Sequence, residues 1–271
     1  MPAPLYNLRV LTVEIIVVGN EILLGVTQDT NSNYLCRMIR GMGGRVRHIS
    51  VVRDERESIV EEINASLARR PNAIFTCGGL GPADDDLTVE AVASAMGLRL
   101  EVAAEARELI EARYRELASR GYVPSPQMNE ARLKMAEIPE GARVLGNPVG
   151  VAPCIVVEEK GCRVISLPGA PSELKGIVEG PLQELLRGMF GRGSYREREV
   201  LVDCGDESLL APALRRVASA HPEVYIKSRA SGLERDLKFR ILISASATSS
   251  EEAEAMLERA RQALARELRD I

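Results

Sequence analysis

The chain has 271 residues, 45% of them apolar, and a formal net charge of −4, which is enough apolar mass to fill a core without disulfide or metal staples. The acidic balance argues against a dedicated nucleic-acid binder, because affinity for a phosphate backbone needs a basic field, and no apolar run approaches the ~20 residues of a membrane span. Five scattered cysteines without a C-x-x-C pair, and a Met1–Pro4 start with no basic segment or cleavage site, lead us to expect a reducing, cytoplasmic setting and an unexported chain.

Short β-branched runs alternate with amphipathic stretches, the pattern of a mostly parallel sheet covered by helices. Val10 to Val18 predicts a buried strand, followed by a polar loop over Gly19 to Thr30 and a helix through Met42 capped by Asn31 or Ser32. Arg45 to Val52 is the second strand, Asp54 opens a link to a helix bearing Ile59, Ile63 and Leu67, and Ala73 to Thr76 is the third strand. It runs into Cys77-Gly78-Gly79-Leu80-Gly81-Pro82-Ala83-Asp84-Asp85-Asp86 and then a helix from about Leu87 to Met96. Helices are predicted over Ala103 to Arg120 and Gln127 to Ala136, strands over Arg143 to Leu145, Cys154 to Val157 and Arg163 to Leu167, and one helix over Pro171 to Met189. A boundary at the glycines of Gly188 to Ser194 divides a larger domain, residues 1–190, from a small α+β domain, residues 195–271, read as strand, helix, strand, strand, helix.

The chemistry concentrates at the glycine loop. Gly78, Gly79 and Gly81 stand between a strand and a helix, where backbone N–H groups and the helix N-terminus favour an anion, although a tight turn without a ligand has the same composition. Asp84, Asp85 and Asp86 follow at once, a charge density that suits a hard divalent cation shared with substrate phosphates; helix capping by one of them is the plainer reading. Asp54 leaves strand two at the same carboxyl edge of a parallel sheet and could join Asp86, or could simply complement a helix dipole. Glu21 and Asn31 leave the first strand at that edge, and the Pro- and Gly-rich segments holding Asn147 and Gly150, and Gly169 and Glu173, are candidate ligand walls, with turn chemistry as the alternative. His48 and His221 have no nucleophile partner in the sequence, and Cys77 ends an apolar strand, where a buried, inert thiol is the common outcome.

Taken in order, Gly19-Asn20-Glu21-Ile22-Leu23-Leu24-Gly25, Asp29-Thr30-Asn31-Ser32, the Gly78 to Thr88 segment, Lys134-Met135-Ala136, Asn147 to Pro153 and Leu167 to Glu173 resemble the N-terminal domain of the CinA family, across most of residues 13 to 190. That domain is similar to the molybdopterin-binding superfamily of the MoaB and Mog type. The resemblance implies a three-layer α/β/α fold with its site at Gly78 to Asp86, functional acids at Asp54 and Asp86, and a further family acid at Asp85. Two departures stand out: Ala83 where the family has threonine and Cys154 where it has glycine. The activities implied are metal-dependent hydrolysis of a nucleotide pyrophosphate such as ADP-ribose with Mg²⁺, Mn²⁺ or Co²⁺, binding of molybdopterin, and adenylyl transfer to a pterin. A homo-oligomer is implied, a dimer or the trimer of the wider superfamily. The deamidase domain that follows in longer family members is not expected here, since the residues after 190 leave no room for it. Residues 195–271 resemble the family's KH-like module but lack its Gly-x-x-Gly loop, so Lys227, Arg229, Arg235, Lys238 and Arg240 are expected to form a solvated hairpin face rather than an RNA strip.

Overall fold

The computed structural model describes residues 10–191, 194–204, 206–231, 238–247 and 249–269. The Met1–Pro4 start, Gly193 of the expected boundary and Arg235 of the basic hairpin lie outside them. The chain divides into two compact units, one of residues 1–37 and 44–188, the other of residues 38–43 and 189–271.

In chain order residues 12–190 hold β1 (Thr12–Val18), α1 (Asn20–Leu23), α2 (Asn31–Gly41), of which residues 38–41 count with the second unit, β2 (Arg45–Val52), α3 (Arg56–Ala68), β3 (Ala73–Cys77) and α4 (Thr88–Met96). There follow β4 (Leu100–Val102), α5 (Ala104–Ser119), α6 (Glu130–Lys134), β5 (Glu137–Pro139), β6 (Arg143–Leu145), β7 (Cys154–Glu159), β8 (Cys162–Leu167), α7 (Pro171–Glu179) and α8 (Gln183–Phe190). Six strands make one sheet in the order β2-β1-β3-β8-β7-β6. β2, β1, β3 and β8 run parallel, and β7 pairs antiparallel with both β8 and β6. β1 and β3 are mostly apolar, Glu14 and Thr76 being their buried polar residues, because both of their faces are covered. Ile16, Val18 and Ile74 pack with Ile59 and Ile63 of α3, Ala91 and Val92 of α4, and Ile110 of α5. The alternate residues Ile15, Val17 and Phe75 are equally buried, as are Leu35 of α2 and Leu174 and Ile177 of α7. This is the three-layer α/β/α arrangement expected.

Local chemistry explains where the observed elements depart from expectation. The single helix over Pro171 to Met189 is two, because Pro181 has no N–H to give and disfavours helical backbone at Gly180. The helix over Gln127 to Ala136 is one short turn, started at Glu130 by the Asn129 side chain, which accepts the Arg132 N–H at 2.9 Å. Residues after it pair as β5 with β4, a two-stranded ribbon of three residues each, too short for periodicity to reveal. α2 is capped neither by Asn31 nor by Ser32: Asp29 accepts the Ser32 N–H at 3.0 Å, and both residues sit inside the first turn.

The second unit is built on a three-stranded antiparallel sheet, β10-β11-β9, of β9 (Ser194–Val202), β10 (Val224–Ser231) and β11 (Lys238–Ala247), with α9 (Glu207–Ala220) and α10 (Ser250–Glu267). Ile241, Ile243 and Ala245 of β11 alternate inward against Leu257, Ala260 and Leu264 of α10 and Val217 of α9. Lys238 pairs with Asp203 at 3.7 Å and Arg240 with Glu199 at 3.5 Å, while Lys227 and Arg229 are exposed, as a solvated face would have them.

Candidate functional site

The four parallel strands end at one edge, and what leaves them there is polar. β1 turns into Gly19-Asn20-Glu21, β2 into Asp54, β3 into the glycine loop and β8 into Pro168-Gly169. Backbone bonds lock the exits together: Gly19 N–H donates to the Val52 carbonyl at 3.1 Å, and Gly78 N–H to the Leu167 carbonyl at 3.0 Å. Ligands of open α/β sheets bind at the carboxyl ends of strands for this reason, since the loops there are free to differ while the strands position them.

The glycine loop has little choice of sequence. Gly78 and Gly79 have φ of 106° and 68°, in the left-handed region that only glycine enters cheaply. A side chain on Gly78 would overlap the Val18 carbonyl oxygen, and one on Gly79 the Thr88 hydroxyl. Thr88, fully buried at the start of α4, pins the loop from below: its hydroxyl donates to the Gly78 carbonyl at 2.7 Å and its N–H to the Gly79 carbonyl at 3.1 Å. Lys134 ties the outside, its ammonium donating to the Ala83 carbonyl. The loop is therefore preformed ahead of the α4 N-terminus, the geometry that accepts an anion.

Above this edge lies a cavity of about 310 Å³ lined by Glu21, Asp54, Gly78, Gly79, Gly81, Asp85, Asp86, Gly169 and Glu173, with Val18, Leu80, Ala152, Pro168 and Ala170. Nine of the candidate residues thus share one wall. Asp54 accepts the Asn20 N–H at 2.6 Å, and Asp86 turns back on its own loop to accept the Ala83 N–H at 2.9 Å. Asp84 is exposed and does not line the cavity.

Asn31, Asn147 and Gly150 stand one layer behind. Asn31 donates to the Gly169 carbonyl at 2.7 Å, and its own side-chain oxygen is buried without a partner among the described residues. Asn147 donates to Glu173 at 2.6 Å and to the Ala152 carbonyl at 2.9 Å, while accepting the N–H groups of Val149 at 3.0 Å and Gly150 at 2.7 Å. A side chain at Gly150 would collide with the Glu173 carboxylate. Thr88, Lys134 and Arg113 are the contributors that sequence reasoning gave no role. Thr88 and Lys134 lie within the quoted motifs, and Arg113, which holds the Val149 and Gly150 carbonyls, carries no local signal at all.

Among the described residues no lysine or arginine lines the cavity, so five acids, Glu21, Asp54, Asp85, Asp86 and Glu173, share its lining with the glycine loop. Among the described residues no three His, Cys, Asp or Glu side chains converge to cage a metal. A hard ion such as Mg²⁺ needs no such cage, because it keeps waters and is held by one or two carboxylates together with substrate phosphates. Asp85 and Asp86 fit that donor set. The Cys77 and Cys154 thiols are poor nucleophiles: burial, then the nearby Asp29 charge, pushes Cys77 up, and burial does the same to Cys154. His48 lies 3.9 Å from Glu62 and His221 3.4 Å from Glu223.

Comparison with known proteins places these features in a wider group. Residues 14–188 match the family described as the probable molybdopterin binding domain. A protein of Thermococcus kodakarensis is 41% identical over 202 residues, 74% of this chain and 79% of that one. One from Pyrobaculum calidifontis is 40% identical over 250 residues, 92% of each chain. The crystal structure of the protein CinA from Thermoplasma acidophilum is 32% identical and superposes with a TM-score of 0.57, covering 65% of this chain and 98% of that chain.

Proposed function

This chain belongs to the probable molybdopterin binding domain family, and from that premise we propose that it is a metal-dependent hydrolase of a nucleotide pyrophosphate, with ADP-ribose as the model substrate. One observation carries the reading: a rigid cradle of glycine amides opens into a cavity whose charged side chains are all acids. Amide dipoles alone cannot hold a diphosphate against that many carboxylates. The site becomes attractive to phosphate once a divalent cation occupies it, and Asp85 and Asp86 are the acids we assign to hold one.

When bound, the ion supplies charge neutralisation at the phosphoryl oxygens and a lower pKa for water. The chain's residues do the rest. Gly79 and Gly81 orient the diphosphate through N–H groups that need no reorganisation, while Gly78, its own N–H given to the Leu167 carbonyl, shapes the turn, so the developing negative charge meets dipoles already in place. Asp54, fixed through one carboxylate oxygen by the Asn20 N–H, accepts a proton from the attacking water through the other. The new P–O bond forms as the bridging P–O bond breaks, and the bridging oxygen leaves with the electron pair as the second phosphate. From ADP-ribose the products are AMP and ribose 5-phosphate.

The family's description supports a second reading, in which the same loop holds the phosphate of molybdopterin without cleaving it. One screen separates the two. Purified chain is incubated with ADP-ribose, FAD and related dinucleotides, each with Mg²⁺, Mn²⁺ or Co²⁺, and titrated in parallel with molybdopterin. Release of AMP is expected. No turnover with any pair, together with tight pterin binding that survives Asp86→Asn, overturns the hydrolase in favour of the binder.

A further inference from the structure

We infer that Glu173 is the specificity-determining residue of the cavity, a fixed carboxylate that accepts hydrogen bonds from the vicinal hydroxyls of a ribose next to the bound diphosphate. The inference rests on the diphosphate reading above and narrows it to ribonucleotides.

Three observations converge on it. The first is how firmly Glu173 is held. It sits in the first turn of α7, and its Oε2 accepts from the Asn147 amide at 2.6 Å. That amide cannot flip, because its oxygen takes two backbone N–H groups and its nitrogen also serves Ala152. Arg113 holds the carbonyls of the same turn from the far side, and the bare Gly150 leaves the space that the carboxylate fills. A chain of contacts from α5 through the turn to α7 thus fixes one side chain, which is more support than an acid needs merely to be soluble.

The second is what Glu173 leaves open. Its Oε1 accepts no hydrogen bond among the described residues, and it is not a sealed, orphaned atom. The residue lines the cavity. A carboxylate is acceptor-only, so the part of the ligand that meets it must donate, and a phosphate oxygen cannot.

The third is position. Pro168, Gly169 and Ala170 form the wall between Glu173 and the glycine loop, and a side chain on Gly169 would already touch Gly78, at 3.4 Å from its Cα. A group meeting Glu173 is therefore close to the phosphate cradle, where a nucleotide carries its sugar rather than its base. A ribose offers two adjacent O–H donors there, the same pairing of acid and ribose that dinucleotide-binding folds use.

The test measures binding of ADP and of 2′,3′-dideoxy-ADP by calorimetry in Mg²⁺, with inorganic pyrophosphate as the sugar-free control. Wild type should bind ADP about 10- to 100-fold more tightly than the dideoxy compound, the scale of hydrogen bonds to a charged group. In Glu173→Ala the ratio should fall toward one with pyrophosphate affinity kept. Glu173→Gln, which retains the size and the Asn147 contact, should leave a ratio of a few-fold and serves if the alanine variant does not fold. A Glu173 that only supports its turn would weaken both nucleotides alike, and an unchanged ratio in the variants overturns the inference. So does a wild-type ratio near one with pyrophosphate bound, which leaves the phosphate site standing. Failure of pyrophosphate to bind at all sinks the diphosphate reading itself, and this one with it.

Discussion

The parallel strands of the sheet carry acids of two kinds toward their two ends. Near the start of β1, Glu14 is only 1% exposed, and its carboxylate accepts from Ser66 at 2.7 Å and from the Arg69 guanidinium, whose second arm reaches Glu62 at 2.8 Å. Beyond the carboxyl ends of the strands, Glu21, Asp54, Asp85 and Asp86 line a cavity in which no arginine or lysine stands among the described residues. A carboxylate closed by a guanidinium is finished: its charge is committed to holding α3 to the sheet, and Arg69 at the C-terminal end of α3 also meets the helix dipole. A carboxylate supported only by backbone N–H groups keeps its charge available for something that arrives. The contrast separates acids of the fold from acids of the proposed chemistry, and it can be broken from either end.

The largest effect is expected from the open end. Asp54→Asn and Asp86→Asn should each lower pyrophosphatase turnover by about 10²- to 10⁴-fold, the usual worth of a general base or an ion-holding acid. Thermal stability should hold or rise as like charges are thinned. Equal loss of stability and turnover would make these acids structural. At the closed end the order reverses. Arg69→Ala strands a buried charge and should cost about 2–4 kcal/mol, below the top of the range for breaking buried pairs because water reaches the Arg69 side. Denaturant unfolding measures it, and turnover per folded molecule should stay within about twofold, since nothing at the carboxyl edge has moved.

Acid titration sharpens the same comparison. Burial by itself would raise the Glu14 pKa, but the hydrogen bonds from Arg69 and Ser66 and the Arg69 charge outweigh it and hold the carboxyl below its ordinary value of 4.5. A depressed folded-state pKa stabilises above the unfolded value, so this contribution is complete at neutral pH and is lost as the pH falls below about 4.5 and through the folded value. Wild type should show a steep acid limb in unfolding free energy. Glu14→Gln, less stable at pH 7, should flatten that limb and converge on wild type in acid. An undiminished limb would place the acid sensitivity elsewhere.

Much of this was legible in the residues. Unbroken apolar runs separated by helical periods predict a parallel sheet, and a parallel sheet brings Asp54, the glycine loop and Gly169 to one edge whatever their separation in sequence. Other features were hidden because they depend on partners far along the chain. Nothing around Glu14 announces Ser66 or Arg69, 52 and 55 positions on. Asn147 and Gly150 read as ligand wall, since a Pro- and Gly-rich turn looks alike whether it faces a ligand or braces a residue that does. Asn31, Ser32 and Asp29 all suit a helix cap, and the path of the entering chain, invisible in composition, selects Asp29. The pair β4 and β5 falls below the length at which any period can be counted.

Thr88 belongs to both ends of the comparison and yields the smallest and most diagnostic effect. Its side chain is buried at the start of α4, yet its hydroxyl serves the loop carbonyl of Gly78 and occupies the space that a side chain on Gly79 would need. Thr88→Val keeps the shape and removes one donor, so the packing of α4 is retained while the Gly78 carbonyl loses that partner. The expected loss is about 1–2 kcal/mol, the scale of an unmade buried hydrogen bond. The backbone bond from Thr88 N–H to Gly79 holds the loop in place but no longer fixes its tilt, so the amides should miss the phosphate by a fraction of an ångström. Turnover should then fall several-fold, through KM more than kcat, because a tilted cradle weakens ground-state and transition-state binding together. Stability and activity moving together, each modestly, would mark Thr88 as the joint between scaffold and site. A change in stability with kcat/KM untouched would show that the loop keeps its shape without it, and that the α4 N-terminus alone positions the cradle.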